Sequence, residues 1–122
     1  MSALVLAYGY VRLNRANGRQ LEGLRRQIAA YCKREGLALG LILADTDVSH
    51  IELRPGWTAL LGRLNSAEAN TVVVLLTLEH LSLDPVQQAA MRARIYAAGG
   101  RVLLLMAPTP PRQEARPPGI RQ

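Results

Sequence analysis

Short, almost purely aliphatic runs alternate with longer amphipathic stretches along this chain, and that alternation is the feature that most restricts its fold. Ala3 to Val11 is an apolar run bounded by polar, Gly-containing sequence, as a buried strand requires. Leu21, Leu24, Ile28, Tyr31 and Cys32 then recur at three- and four-residue spacing, while Arg19, Arg25, Arg26, Lys33 and Arg34 fill the other face. This pattern predicts an amphipathic helix closed by Gly36. Leu37 to Ala44 reads as a second strand, and Pro55 to about Ala67 as a second helix with Trp57, Leu60, Leu61 and Leu64 turned inward. Val72 to Leu76 is short and continuously apolar, and its β-branched valines favour a central strand. A third helix is expected from Pro85 to residue 98. Asp84 is its N-cap, Pro85 its first residue, Gln87 the partner of Asp84 in a capping box, and Gly99-Gly100 its end. Arg101 to Met106 supplies the last strand.

The order β-α-β-α-β-α-β implies an α/β fold with a mainly parallel sheet of four to five strands and helices on both faces, in three layers. Composition agrees. Of 122 residues 49% are hydrophobic, yet there is no Phe, one Trp and four Tyr, so the core must be built from Leu, Val, Ile and Ala. The length suits one domain, here residues 1–106. Residues 107–122 carry Pro108, Pro110, Pro111, Pro117 and Pro118 with Arg112, Arg116 and Arg121, which reads as an extended, flexible basic tail. The N-terminus lacks a basic run before an apolar stretch, and no segment approaches the ~20 apolar residues that span a bilayer, so a cytoplasmic protein with no membrane partner is expected. The single Cys32 has no partner for a disulfide and is expected buried and inert.

Four segments carry a resemblance. Gly9-Tyr10-Val11-Arg12-Leu13-Asn14 is similar to the Gly-Tyr-x-Arg-Val-Ser segment that opens the catalytic domain of serine recombinases, the resolvase/invertase family. Ala44-Asp45-Thr46-Asp47-Val48-Ser49-His50 resembles that family's Glu-Asp-x-Gly-Val-Ser-Gly loop, and Arg54-Pro55-Gly56-Trp57 its Arg-Pro-Gly-Leu. Leu78-Glu79-His80-Leu81-Ser82-Leu83 stands where the family has Leu-Asp-Arg-Leu-Ser-Arg. The match runs from about residue 6 to residue 106, in order and at the right spacing. It implies a resolvase-like fold, and with it a long helix after the last strand that forms the family's dimer. A proline-rich tail is not expected to make that helix, because each interior proline costs about 3 kcal/mol.

The resemblance also implies a chemistry, in which a serine hydroxyl attacks a DNA phosphodiester and a cluster of arginines stabilises the phosphate charge. The nucleophile position falls on Asn14, whose amide has no ionisable hydroxyl. Arg12 and Arg54 match two of the arginines. The other two fall on His80 and Leu83, the preceding Asp on Glu79, and the glutamines that follow the nucleophile are missing near Gly18 and Leu24. The expectation is therefore a catalytically inactive domain, with Asn14, Glu79, His80 and Leu83 as degenerate positions and no catalytic residue. Arg12, Arg54, Asp45 and Ser49 are the candidate anion- or DNA-binding residues. Arg12 and Arg54 are equally readable as fold-stabilising residues paired with Asp45 or Asp47.

No metal is expected, since His50 and His80 lack the spacing of a zinc motif, and no cofactor or small-molecule substrate, since there is no Gly-x-Gly-x-x-Gly and no Walker loop. The net charge of +6 is compatible with DNA as a partner through phosphate contacts, though all 15 basic residues except Lys33 are arginine, a bias that GC-rich coding alone produces. Three functions stay open: an inactive accessory or regulatory domain with a protein or DNA partner, an active recombinase or nuclease with a substitute nucleophile such as Ser49 or Ser82, and a module that assembles with itself.

Overall fold

A computed structural model describes residues 5–13, 18–46, 54–66 and 71–106. Asn14, Ser49, His50 and the 107–122 tail lie outside the described residues. The elements follow in the order β1 (Leu6–Leu13), α1 (Gly18–Glu35), β2 (Ala38–Thr46), α2 (Pro55–Ser66), β3 (Thr71–Leu75), a 3-10 turn (Leu78–His80), α3 (Pro85–Ala97) and β4 (Gly100–Leu104). No described helix is long and apolar enough to cross a membrane.

Among the described residues the four strands are all parallel, in the order β2-β1-β3-β4. The chain steps from β1 outward to β2, jumps back over β1 to β3, and continues to β4. That reversal puts the helices on opposite faces. Ile28 and Cys32 of α1 pack on Ala7, Val11, Leu13, Val72, Val74 and Leu76, whereas Trp57, Leu60 and Leu64 of α2 and Met91 and Ile95 of α3 pack on Tyr8, Tyr10, Val73 and Leu75. The two residue sets alternate along β1 and β3, as the two-residue period of a strand demands. β3 is buried at every position and forms the centre of the sheet with β1. Burial raises the pKa of the Cys32 thiol, which favours the unreactive protonated form.

The helix ends follow local chemistry. Gly36, at φ 72°, stands just past α1, where its N–H donates to the Lys33 carbonyl and that of Leu37 to the Cys32 carbonyl, the paired bonds of a Schellman turn. At α3 the Asp84 carboxylate accepts from the Val86 N–H at 3.2 Å, as expected of an N-cap. The reciprocal half of the expected capping box is not made. Ser82 intervenes, its hydroxyl donating to Gln87 Oε1 at 2.6 Å and accepting from the Asp84 N–H at 3.1 Å. The strand limits also shift. β1 runs on to Leu13 because β2 keeps pairing with it as far as Thr46, and β4 ends at Leu104, although the N–H groups of Leu105 and Met106 still reach the carbonyls of Leu75 and Leu76.

Trp57 is the largest fully buried side chain, packed edge-on against Tyr10 with ring centroids 5.9 Å apart, and its indole nitrogen makes no hydrogen bond. The stabilisation here comes from volume. Trp57→Ala is expected to cost about 3–5 kcal/mol in urea unfolding followed by circular dichroism, and Trp57→Phe clearly less, because only ring area is lost. Equal losses for the two variants would contradict this account of the core.

Candidate functional site

In an open parallel sheet the crevice for a ligand forms beyond the carboxyl ends of the strands, where the winding reverses. Here that point lies between β1 and β3. Alternation along β1 puts Arg12 on the same side as Tyr8 and Tyr10, near the strand's carboxyl end. β1 pairs with β3 only from Leu6 to Gly9, so the last residues of β1 extend beyond their neighbour. The segment after β3 folds back over this gap as the 3-10 turn, with the His80 N–H donating to the Thr77 carbonyl at 3.2 Å and the Leu81 N–H to the Leu78 carbonyl at 2.9 Å. Between them is an open cleft of about 180 Å³ lined by Arg12, Thr77, Glu79, His80 and Leu83. A water occupies roughly 30 Å³ of liquid, so the cleft has room for a phosphoryl group and its hydration.

Two contacts hold the turn in place. The backbone N–H of Arg12 donates to His80 Nδ1 at 3.1 Å. From the core, Arg54 Nη1 donates to the Leu81 carbonyl. Arg54 is 2% exposed, lies 3.9 Å from the Met91 sulfur through Nη1, and leaves its Nε without a partner. The two arginines that sequence matching groups together thus stand in different places, Arg12 at the cleft and Arg54 in the core behind the turn.

Asp45 is buried as well, one strand over and in register with Arg12. Its carboxylate accepts from the Tyr10 hydroxyl at 2.7 Å, from the Gly56 N–H at 2.7 Å and from the Trp57 N–H at 2.9 Å. Arg54 occupies the N-cap position of α2, with its carbonyl accepting from the Thr58 N–H, but an arginine cannot cap the helix with its own side chain. Asp45 does so from β2, satisfying two otherwise orphaned donors and placing a negative charge at the positive helix end. The sequence Arg54-Pro55-Gly56 follows from this arrangement. Proline suits the first helical position, and at Gly56 a Cβ would lie 2.9 Å from the Ala44 carbonyl and 3.0 Å from both Asp45 carboxylate oxygens.

Of the remaining candidates, Glu79 and Leu83 line the cleft, both exposed, with Leu83 at 65%. Ser82 is buried and engaged at the start of α3, so its hydroxyl is not presented to the cleft. Thr77 lines the cleft without having stood out in the sequence. Its signal is positional, a hydroxyl-bearing residue just beyond the carboxyl end of β3 at the switch point. Among the described residues no group of His, Cys, Asp and Glu could hold a metal ion.

Electrostatics follow from burial. Burial lowers the His80 pKa from its ordinary 6.5; the Arg12 charge and the hydrogen bond that Nδ1 accepts from the Arg12 amide favour the neutral ring too, against the Glu79 charge. Tyr10 moves the other way. Burial first, then the hydrogen bond to Asp45 and its charge, push the phenol above its ordinary 10.0, opposed by Arg54. Above about pH 10 the unfolded chain therefore releases this proton while the folded chain keeps it, and stability falls as pH rises, by at most about 1.4 kcal/mol per unit. Comparison of wild type with Tyr10→Phe by denaturant unfolding at pH 8 to 11 is expected to show a steeper alkaline loss in wild type; parallel curves would contradict the coupling.

No protein-family model and no curated protein matches this chain. Among solved structures it is similar to the C-terminal catalytic domain of ISC1926 TnpA, an IS607-like serine recombinase, with TM-score 0.71 and 15% identity over 89% of this chain and 76% of that one. It is also similar to the N-terminal catalytic domain of TP901-1 integrase (TM-score 0.70, 15% identity, 82% and 76% coverage). A third is the first open reading frame of transposon ISC1904 from Sulfolobus solfataricus P2 (TM-score 0.64, 16% identity, 88% and 70% coverage). These likenesses correct the expectation of a non-enzyme. The backbone is one that serine recombinases use as a catalytic domain, and this chain has an open cleft with Glu79, His80 and Leu83 in its lining. A parallel β2-β1-β3-β4 sheet, α1 opposed to α2 and α3, and these structural neighbours together make the chain a serine recombinase-like domain in fold.

Proposed function

We propose that this domain is a DNA-acting enzyme of the recombinase type, with the cleft at the β1–β3 switch point as its seat for the scissile phosphate. The observation that carries the reading is the placement of Arg12, Thr77 and His80 around one open cleft on this backbone. A guanidinium holds two phosphate oxygens by paired hydrogen bonds and stabilises the charge that develops as phosphorus is attacked. The catalytic domains of an IS607-like serine recombinase and of TP901-1 integrase share the fold and support the class of reaction.

The nucleophile is a hydroxyl at a position other than 14, where Asn14 carries an amide. Its oxygen bonds to phosphorus, one phosphorus–oxygen bond of the DNA strand breaks, and the proton passes to the departing oxygen. The product is a protein–DNA phosphodiester and a free DNA hydroxyl. Since one phosphodiester replaces another, the reverse attack reseals a strand without an energy source. Thr77, already in the cleft lining, and Ser49, between β2 and α2, are the two hydroxyls to separate. A positive net charge of +6 favours encounter with DNA.

Incubation with supercoiled plasmid, quenching in detergent and peptide mass spectrometry is expected to reveal a DNA adduct lost in either Thr77→Val or Ser49→Ala. Arg12→Ala is expected to lower adduct formation about 100- to 1000-fold, the usual effect of removing one charge-stabilising donor. Absence of any adduct or strand break from the wild-type chain would sink the proposal.

A further inference from the structure

Resting on the reading of the cleft as a phosphate seat, we propose that His80 contacts the phosphate as an uncharged hydrogen-bond donor through Nε2, its tautomer fixed by the backbone N–H of Arg12. The two nitrogens of the ring play different parts. Nδ1 accepts a hydrogen bond from the Arg12 N–H at 3.1 Å, and an accepting nitrogen carries no proton. In the neutral ring the proton then resides on Nε2. His80 lines the cleft, and with Nδ1 occupied, Nε2–H is the donor it has left to offer.

The surroundings keep the ring neutral. A second proton would have to enter at Nδ1, directly against the Arg12 N–H, and would destroy the bond that ties the turn to β1. Burial opposes the added charge and so does the Arg12 side chain, while Glu79 is the group that favours it. Among the described residues, the cleft lining thus has one cation, Arg12, one exposed carboxylate, Glu79, and a neutral donor between strand and turn. A permanently charged residue at position 80 would attract any polyanion at long range. A neutral imidazole gives little at a distance and acts only when a phosphate oxygen comes within hydrogen-bond reach, so discrimination between a seated phosphate and a passing one falls to geometry.

This arrangement separates two substitutions. Asn at position 80 places an amide oxygen near the position of Nδ1 and keeps an acceptor for the Arg12 N–H, but has nothing at Nε2. Gln extends an amide N–H toward the Nε2 position and forfeits the acceptor. Nitrogen-15 ring spectra of the full chain are expected to give a protonated Nε2, a bare Nδ1 and a titration midpoint below 6.5, with the Nε2–H signal moving on addition of a short duplex. By anisotropy at physiological salt, His80→Asn is expected to bind the duplex about ten-fold more weakly with unchanged unfolding stability, and His80→Gln to stay nearer wild type. Duplex affinity of wild type should stay flat from pH 7 to 8.5, where a histidinium contact would fade.

A protonated Nδ1, or wild-type affinity in His80→Asn, would overturn the proposal. Arg12→Ala distinguishes its failure from that of the reading beneath it. If Arg12→Ala loses affinity and His80→Asn does not, the cleft holds phosphate without His80; if neither loses affinity, the cleft is not the phosphate seat.

Discussion

The hydrogen bonds of the buried Asp45 carboxylate organise the carboxyl end of the sheet. A carboxylate 2% exposed is tolerable only when its oxygens are satisfied, and three donors do so: the Tyr10 hydroxyl from β1 and the first free N–H groups of α2. One side chain therefore joins β1, β2 and α2. With the Ala44 carbonyl it leaves no room for a Cβ at position 56, and, added to burial, it keeps Tyr10 protonated as the donor the carboxylate requires. Trp57, whose backbone N–H is one of those donors, is set by the same contact into its edge-on packing with Tyr10. Removing one partner would leave a buried charge short of a donor, a larger loss than the net worth of any single bond.

From this centre order reaches the cleft by two routes. Arg54, the residue before α2, sends its guanidinium behind the 3-10 turn to the Leu81 carbonyl, and β1 meets the same turn through the Arg12 N–H and His80. The turn is held from the core and from the strand, so the residues around the cleft are positioned before any ligand arrives. Groups held in advance contribute more to charge stabilisation than groups that must reorganise. Arg54 can thus matter for chemistry at the cleft through the turn it supports, while Arg12 stands in the cleft lining.

Much of the architecture is legible in the sequence because it rests on local signals. The aliphatic run through Val72, Val73 and Val74 can be satisfied only in the middle of a covered sheet, and Gly36 and Asp84-Pro85 mark helix ends by backbone chemistry that involves few neighbours. The candidate site is less legible because its roles depend on distant partners. In the sequence Arg54 is readable as an anion-binding residue or as a partner of Asp45 or Asp47, and nothing near it in the chain foretells an acceptor at Leu81. Asp45 looks like a loop carboxylate until α2 is laid against it. Gln87 matches a capping box by spacing, yet Ser82 takes its side chain because the chain turns sharply before α3. Thr77 attracts no notice until the order of the strands makes its position a switch point. The expectation of an inactive domain is corrected for a related reason: identity at matched positions does not define a cleft, which depends on the side chains the fold assembles there.

In the proposed reading phosphate is held at the β1–β3 switch point and not merely on the basic outer face of α1. Backbone amide shifts, followed while a short duplex is titrated into the full chain at physiological salt, test this most directly. Binding at the switch point is expected to give saturable shifts concentrated at Arg12 and Thr77 to His80, with small and salt-sensitive changes along Arg19, Arg25 and Arg26. Shifts confined to the α1 arginines, with the cleft unmoved, would contradict it.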